Sequence, residues 1–254
     1  MNNTIQSIDR AFEILETLSM ESRGMSIKEL SERLTLNKST VHRILATLIA
    51  WGYVEKNNEE KRYRLGPKII NLGSVYLNNI ELKTEALPYL HKLKDRTSQV
   101  VHLGIVENGD VVYLDKIEIF STIRMYSKIG KRAMCHNTGL GKAMMAFMSE
   151  KDVDKILRDK GMPKVKENTI TDPKVLKEEL RLIRSRGWAI DDEENEMGIR
   201  CVAVPVYDYT GNVIAAISST GPLEIYTYEY LEEKVVDLVK DAAYQISLRM
   251  GYQG

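Results

Sequence analysis

Apolar residues recur at helical spacing in three successive N-terminal segments, and at strand spacing further along. In "TIQSIDRAFEILETLSM", Ile5, Ile8, Phe12, Leu15 and Leu18 mark one helix face. Gly24 breaks the pattern, and "SIKELSERL" restarts it with Ser26 and, three residues on, Glu29. That spacing is a capping box, in which each side chain satisfies a free backbone N–H at the helix start. Ile27, Leu30 and Leu34 form the inward face. After the short "TLN", "KSTVHRILATLIAWG" turns Val41, Ile44, Leu45 and Leu48 inward, with Asn37 at its N-cap and Gly52 as its stop. "YVEK" and "RYRL" then flank the polar "NNEEK", which predicts a β-hairpin. Three helices followed by a hairpin spell a winged helix-turn-helix over residues 1–66. "GPKIINLGSVYLNN", opened by Pro67, predicts a linker helix within 67–81.

The remainder, 82–254, mixes both periods. A helix over "ALPYLHKLKDRTS" leads into strand-like runs on either side of Asn108–Gly109, a hairpin turn signal. Helices follow near Gly139–Phe147, Glu150–Asp159 and Pro173–Arg186. "GWAIDDEENEMGIRCVAVPVYDYTGNVIAAISSTGP" reads as three strand-like pieces, and Tyr228–Arg249 as one long closing helix. Helices around an antiparallel sheet make the fold class α+β. No internal repeat or low-complexity tract interrupts it.

Composition narrows the function classes. The chain of 254 residues is 43% hydrophobic and 28% charged, as ordinary soluble proteins are. Its longest apolar run, "ILATLIAW", is too short to span a bilayer, and the N-terminus has no secretory pattern, so a cytoplasmic protein without membrane association is expected. Cys135 and Cys201 are too few for a disulfide framework and read as buried thiols. Net charge is +0, divided as +2 over residues 1–68 and −2 over the rest. The local pattern says more. No acidic residue falls between Glu32 and Glu55, whereas Arg33, Lys38, His42 and Arg43 do, and a DNA-facing surface needs such a window.

The third helix carries the chemistry that suits a duplex. Lys38, Ser39 and Thr40 occupy its first turn, where free N–H groups and the positive dipole end favour phosphate oxygens. His42 and Arg43 project with them from the polar face, and Arg43 can fork onto guanine or phosphate. Lys61, Arg62 and Arg64 on the hairpin could reach the backbone or minor groove, and Ser26 opens the preceding helix beside them. A basic helix face can also be merely solvated, and winged folds also serve as protein-interaction modules. The ordered run of capping box, tight turn, hydroxyl-rich helix and basic hairpin favours DNA.

The whole chain resembles the IclR family of bacterial transcription regulators. The resemblance rests on "IDRAFEILETLS", "SIKELSERLTLNKSTVHRILATLIAWGYVEK", "YRLGPKIINLG", "CHNTGLGKAMMAF", "RGWAIDDEENEMGIRCVAVPVYDYTGNVIAAISSTGP" and the closing helix. It implies a winged-helix DNA reader joined to a GAF-like effector domain, working as a homodimer or homotetramer on double-stranded operator DNA. It also implies an effector pocket between the glycine loop, the acidic segment and the strand before Gly221–Pro222. Carried over motif by motif, that pocket involves Thr122, Gly139, Leu140, Asp191, Ile199, Cys201, Ser218 and Thr220. Ser218 and Thr220 are two apart, so a strand points both to one face. Related regulators have a small residue where Leu140 stands and a serine where Thr220 stands, which implies a narrower or reshaped pocket. A small organic acid, such as a keto or sugar acid of the 2-keto-3-deoxygluconate type, is the expected effector, and a repressor the expected regulator.

The remaining motifs argue against catalysis. "HNTGLGKAMMAF" lacks the spacing of a Walker A or dinucleotide loop, and its simplest reading is a tight turn before a helix with Met144, Met145 and Phe147 inward. Cys135 and His136 are adjacent and would face opposite ways on a strand, unlike a nucleophile and its base. No zinc spacing exists, so neither metal nor cofactor is expected. "DDEENE" packs five carboxylates into six residues; Asp192, Glu193, Glu194 and Glu196 read as a solvated rim and Asp191 as turned inward. A winged-helix interaction module or a small-acid-processing enzyme are the alternative readings.

Overall fold

The computed structural model describes residues 4–57, 59–78, 81–118 and 127–253. The chain divides between residues 79 and 80 into two compact units.

In the first unit, α1 (Gln6–Ser19), α2 (Ile27–Arg33) and α3 (Lys38–Ala50) precede a hairpin of β1 (Val54–Asn57) and β2 (Arg62–Leu65) and a further helix α4 (Lys68–Asn78). Ile14, Leu18, Leu30, Val41, Leu45, Val54 and Tyr63 form its core. Burying each large apolar side chain contributes about 1.5–3 kcal/mol of transfer free energy. The capping box forms as its spacing predicts: Glu29 N–H donates to Ser26 Oγ at 3.3 Å, and Ser26 N–H to Glu29 Oε2 at 2.7 Å. Between α2 and α3, Thr35 adopts φ 54°, and Ser31 Oγ donates to the Leu36 carbonyl at 2.5 Å, which closes the turn.

Two expectations for this unit need correction. Ile5, Ile8 and Phe12 do not face the core; Phe12 is 60% exposed. Helix α1 carries two apolar stripes, and the one running through Ala11, Ile14, Leu15 and Leu18 packs inward. Asn37 occupies the N-cap of α3 but makes no side-chain capping bond; its carbonyl simply accepts from Thr40 and Val41 N–H at 2.9 and 3.1 Å.

Among the described residues, the second unit is built on a six-stranded antiparallel sheet in the order β5-β4-β3-β8-β7-β6. Its strands are β3 (Val100–Glu107), β4 (Asp110–Ile117), β5 (Arg132–Met134), β6 (Ala189–Asp192), β7 (Ile199–Tyr207) and β8 (Val213–Pro222). Among the helices are α5 (Glu81–Thr97), α6 (Gly139–Met145), α7 (Glu150–Lys160) and α8 (Pro173–Arg186). Alternation along β7 sends Val202, Val204 and Val206 into one core with Leu90, Val239 and Ile246, and Ala203 into a second with Leu140, Met144 and Ile183. The sheet is therefore covered on both faces. Helix α5 starts five residues before the expected "ALPYL", so Pro88 lies inside it rather than in its first turn. The closing helix is also not uniform: a turn α9 (Tyr228–Tyr230) passes through a π-helical segment, Leu231–Val235, into α10 (Val236–Arg249). The wider turn keeps Leu231 and Val235 buried together with Val236 and Val239.

Candidate functional sites

The first candidate surface is on α3 and the hairpin. Lys38, Ser39, His42 and Arg43 are exposed and Thr40 half-buried, opposite the buried Val41, Leu45 and Leu48. The hairpin arginines are engaged within the unit. Half-buried Arg62 donates from Nε to the Gly24 carbonyl at 3.0 Å and from Nη2 to Glu29 Oε1 at 3.1 Å. Glu29 thus closes the capping box with one oxygen and anchors the wing with the other. The backbone N–H of Ser26 is the main reason its carboxyl is held below the usual range, with Ser26 Oγ and Arg62 adding to it. Ser26 and Arg62 act as braces here. Arg64 pairs with Glu55 at 2.6 Å but both are exposed, and such pairs are weak enough to be exchanged. Lys61 stands exposed at the hairpin turn with φ 52°.

The second site is a niche on the α6 side of the large sheet. Asp191, Cys201 and Thr220 lie in register across β6, β7 and β8, and His102 of β3 is opposite Ser218 of β8. Alternation puts all five on the face away from Val202 and Ile217. Together with Gly139, Leu140, Ile199 and Tyr113 they line a cavity of about 40 Å³. Seven of the eight residues expected in a pocket are thereby gathered; the eighth, Thr122, lies outside the described residues.

Close packing explains the glycines. A Cβ on Gly139 would meet Cys201 Sγ at 2.6 Å, and one on Gly141 would meet the Cys135 backbone at 2.4 Å. Gly139 lets α6 lie against β7 and Gly141 lets it lie against the Cys135 backbone, while Leu140 fills the space over Gly104 at 3.1 Å from where a Cβ would be. Thr138 caps the helix by accepting from Gly141 N–H.

Sequence reasoning missed His102 and Tyr113. His102 Nδ1 lies 3.4 Å from both Ser218 Oγ and Thr220 Oγ1, its Nε2 lies 2.8 Å from Ser127 Oγ, and its ring sits 5.2 Å from that of Tyr113. Burial, with the nearby Lys116 charge, lowers its pKa to about 3, so the imidazole is neutral. The available signal was a histidine between Val101 and Leu103, both of which face the opposite core.

The acidic run is not a solvated rim. Asp191 is buried, and Glu194 is 5% exposed and ion-paired with Lys142 of α6, itself 1% exposed. Asp192 pairs with Arg200 at 2.6 Å and accepts from the Tyr228 hydroxyl, and Glu193 Oε2 accepts from Gly198 N–H at 2.8 Å. The run ends β6 and turns beside α6, so the side chains of Asp191, Asp192, Glu193 and Glu194 meet partners within the fold. Burial raises the Asp191 pKa to about 7, with Lys142 opposing and Glu194 reinforcing the shift. Asp191 Oδ1 accepts from Glu194 and Asn195 N–H at 2.9 and 3.3 Å.

Cys135 and His136 do not form a nucleophile and base with each other. Cys135 Sγ donates to the Gly109 carbonyl at 3.3 Å and burial pushes its thiol up to about 12, while His136 Nε2 lies 3.2 Å from the Pro163 carbonyl. Among the described residues no cluster could hold a metal ion, and no helix is long and apolar enough to cross a membrane.

A winged reader joined to a sheet domain with a small polar niche defines a ligand-linked DNA-binding regulator, and comparison with known proteins agrees. Residues 7–58 match the IclR helix-turn-helix domain, and residues 74–248 the bacterial transcriptional regulator IclR C-terminal family. The HTH-type transcriptional regulator KdgR of Escherichia coli is 37% identical over 250 residues, covering 98% of this chain and 94% of that protein. The transcriptional repressor IclR of the same organism is 30% identical, covering 97% and 90%. The crystal structure of the Thermotoga maritima IclR superposes with a TM-score of 0.81 at 35% identity, covering 98% of this chain and all of that one. The chain belongs to the IclR family of transcription regulators, DNA-binding proteins rather than enzymes.

Proposed function

We propose that this regulator is a repressor that binds a pseudo-palindromic operator as a homodimer or homotetramer, and that a small organic acid in the niche modulates that binding. Arg43 and the first turn of α3 read the DNA. Half-sites about 34–36 Å apart suit paired recognition helices of a symmetric oligomer. The observation that carries the effector reading is the convergence of Asp191, His102, Ser218 and Thr220 on one niche. These groups offer hydroxyls, a neutral imidazole and a carboxyl, a set that recognises hydroxyl or carbonyl oxygens. An ionised Asp191 would repel a ligand carboxylate, so Asp191 either meets the ligand's oxygenated, uncharged end or, with its pKa raised to about 7, faces the carboxylate in protonated form. The residues 67–81 join the reader to the effector domain and are the segment through which differential affinity could act.

The experiment is a thermal-shift panel of small carboxylic acids on the full chain, followed by operator footprinting with and without the stabilising acid. A bound acid raises the melting temperature by mass action, and it should change the protection pattern. An acid that stabilises the protein yet leaves the footprint unaltered would refute the coupling.

A further inference from the structure

Helices α1 and α3 leave a cleft of about 460 Å³ between residues 7–11 and residues 40–48. Thr40, Ile44 and Thr47 follow one another at i, i+4 and i+7, so the wall they form runs along a single flank of α3. Arg43 borders that flank on one side and shares the exposed face with Ser39, four residues before it, on the other.

The cleft is lined by two cations, Arg10 of α1 and Arg43 of α3, and by no carboxylate. Elsewhere in this unit Arg33, Arg62 and Arg64 each pair with a glutamate. The guanidinium groups of Arg10 and Arg43 make no ion pair or hydrogen bond among the described residues. Arg10 is half-buried, so part of its rotamer freedom is already lost before an anion arrives. Thr47 Oγ1 donates to the Arg43 carbonyl at 3.2 Å, which leaves the hydroxyls of Ser7 and Thr40 to serve the cleft. The rest of the lining, Ile8 and Ile44 with their neighbours, is apolar.

That mixture selects the occupant. A second copy of this chain would have to bring a carboxylate to two arginines, and a free inorganic anion would leave the apolar wall uncovered. A nucleic-acid backbone offers both halves, an anionic phosphate and the C–H faces of its sugars. We propose that the cleft receives the sugar–phosphate backbone of the DNA strand flanking the groove that α3 enters, with Arg10 gripping a phosphate beside Ser7 and Thr40. Arg10 is then a positioning contact that carries no sequence information, and Arg43 at the border stays available to a base edge. This rests on the reading of α3 as the helix that meets DNA.

The test is fluorescence anisotropy of the full chain with two labelled duplexes of different sequence, across a salt series from about 50 to 200 mM. The proteins are the parent, Arg10→Met, Arg10→Lys and, as a charge control on α7, Lys151→Ala. Methionine keeps an unbranched apolar stem and drops the charge. Arg10→Met is expected to bind both duplexes about ten-fold more weakly, with their affinity ratio unchanged. Its slope of log affinity against log salt should fall by about 0.9. Arg10→Lys should keep the parental slope, because the slope counts charges rather than hydrogen-bond geometry, and Lys151→Ala should behave as the parent. A parental slope in Arg10→Met, or an equal fall in slope in Arg10→Lys or in Lys151→Ala, overturns the cleft and leaves the α3 reading standing. Altered sedimentation of Arg10→Met without DNA would place a second copy in the cleft and overturn it too. If the parent itself shows no salt-dependent affinity for DNA, the α3 reading fails and the cleft falls with it.

Discussion

Lys142 and Glu194, 52 positions apart in the chain, close a buried ion pair that ties α6 to the turn after Asp191. The same turn is held by Thr169 Oγ1, which donates to the Glu194 carbonyl at 2.7 Å. The loop that forms one wall of the niche is therefore clamped from two sides. Removing one partner leaves a charge in the interior, which costs about 3–5 kcal/mol, whereas replacing both with apolar groups is far better tolerated. Lys142→Met should lower unfolding stability by that amount, and Lys142→Met with Glu194→Leu should recover most of it. Chemical denaturation of the three proteins checks this, and equal stability of the single and double variants would sink the idea.

Asp191 makes stability depend on pH. Unfolded, its carboxyl ionises near 3.8; folded, near 7. Between those values the native state holds the proton more tightly than the unfolded chain, so stability falls as pH rises from about 4 to 7. Glu194, also raised by burial, adds to the same slope. Asp191→Asn keeps the acceptor for Glu194 and Asn195 N–H and removes the titration. Melting temperatures from pH 4 to 7 should decline less steeply in this variant than in the parent.

Variants at Arg43 and Arg62 test whether reading and bracing lie on different side chains. Arg43→Ala should abolish specific operator binding, reduce the salt dependence of residual binding by about one phosphate contact, and leave effector binding intact. Arg62→Ala should instead lower the stability of the winged unit by about 1 kcal/mol, because its bonds to Gly24 and Glu29 are lost. Fluorescence anisotropy across a salt series, paired with melts, distinguishes the two. Identical behaviour of both variants would contradict the assignment.

Gly139→Ala probes the roof of the niche. The added methyl would lie 2.6 Å from Cys201 Sγ, so α6 or the Cys201 side chain must shift, at about 1–3 kcal/mol. Leu140→Ala works the opposite way, since it empties space above Gly104, costs about 2–5 kcal/mol, and enlarges the niche. Effector affinity should fall in the first variant, and preference should move toward bulkier acids in the second. Titration with acids of graded size tests both.

What the sequence disclosed and what it hid follow from the range of the interactions. The capping box, the turn before α3, the hairpin and the strand alternation of Ser218 and Thr220 depend on neighbours within a few positions, and all were legible. The fates of Glu194 and Asp192 were not, because Lys142 lies 52 positions away and Arg200 lies across a strand pairing. A local cluster of carboxylates reads as solvated until the cations that reach it are placed. His102 was hidden for a similar reason: its side of β3 is set by pairing with β8, whose partner residues come more than a hundred positions later. The apolar surplus on α1 defeated periodicity differently, by offering two stripes of which the helix can bury one.

The large sheet ends in two very short strands, Arg132–Met134 at one edge and Ala189–Asp192 at the other, and the latter finishes on a paired carboxylate. Edges so brief and charged offer little template for another backbone. Copies of this domain are thus discouraged from growing a continuous ribbon through strand addition. A chain with such edges is guarded against condensing upon itself by backbone pairing.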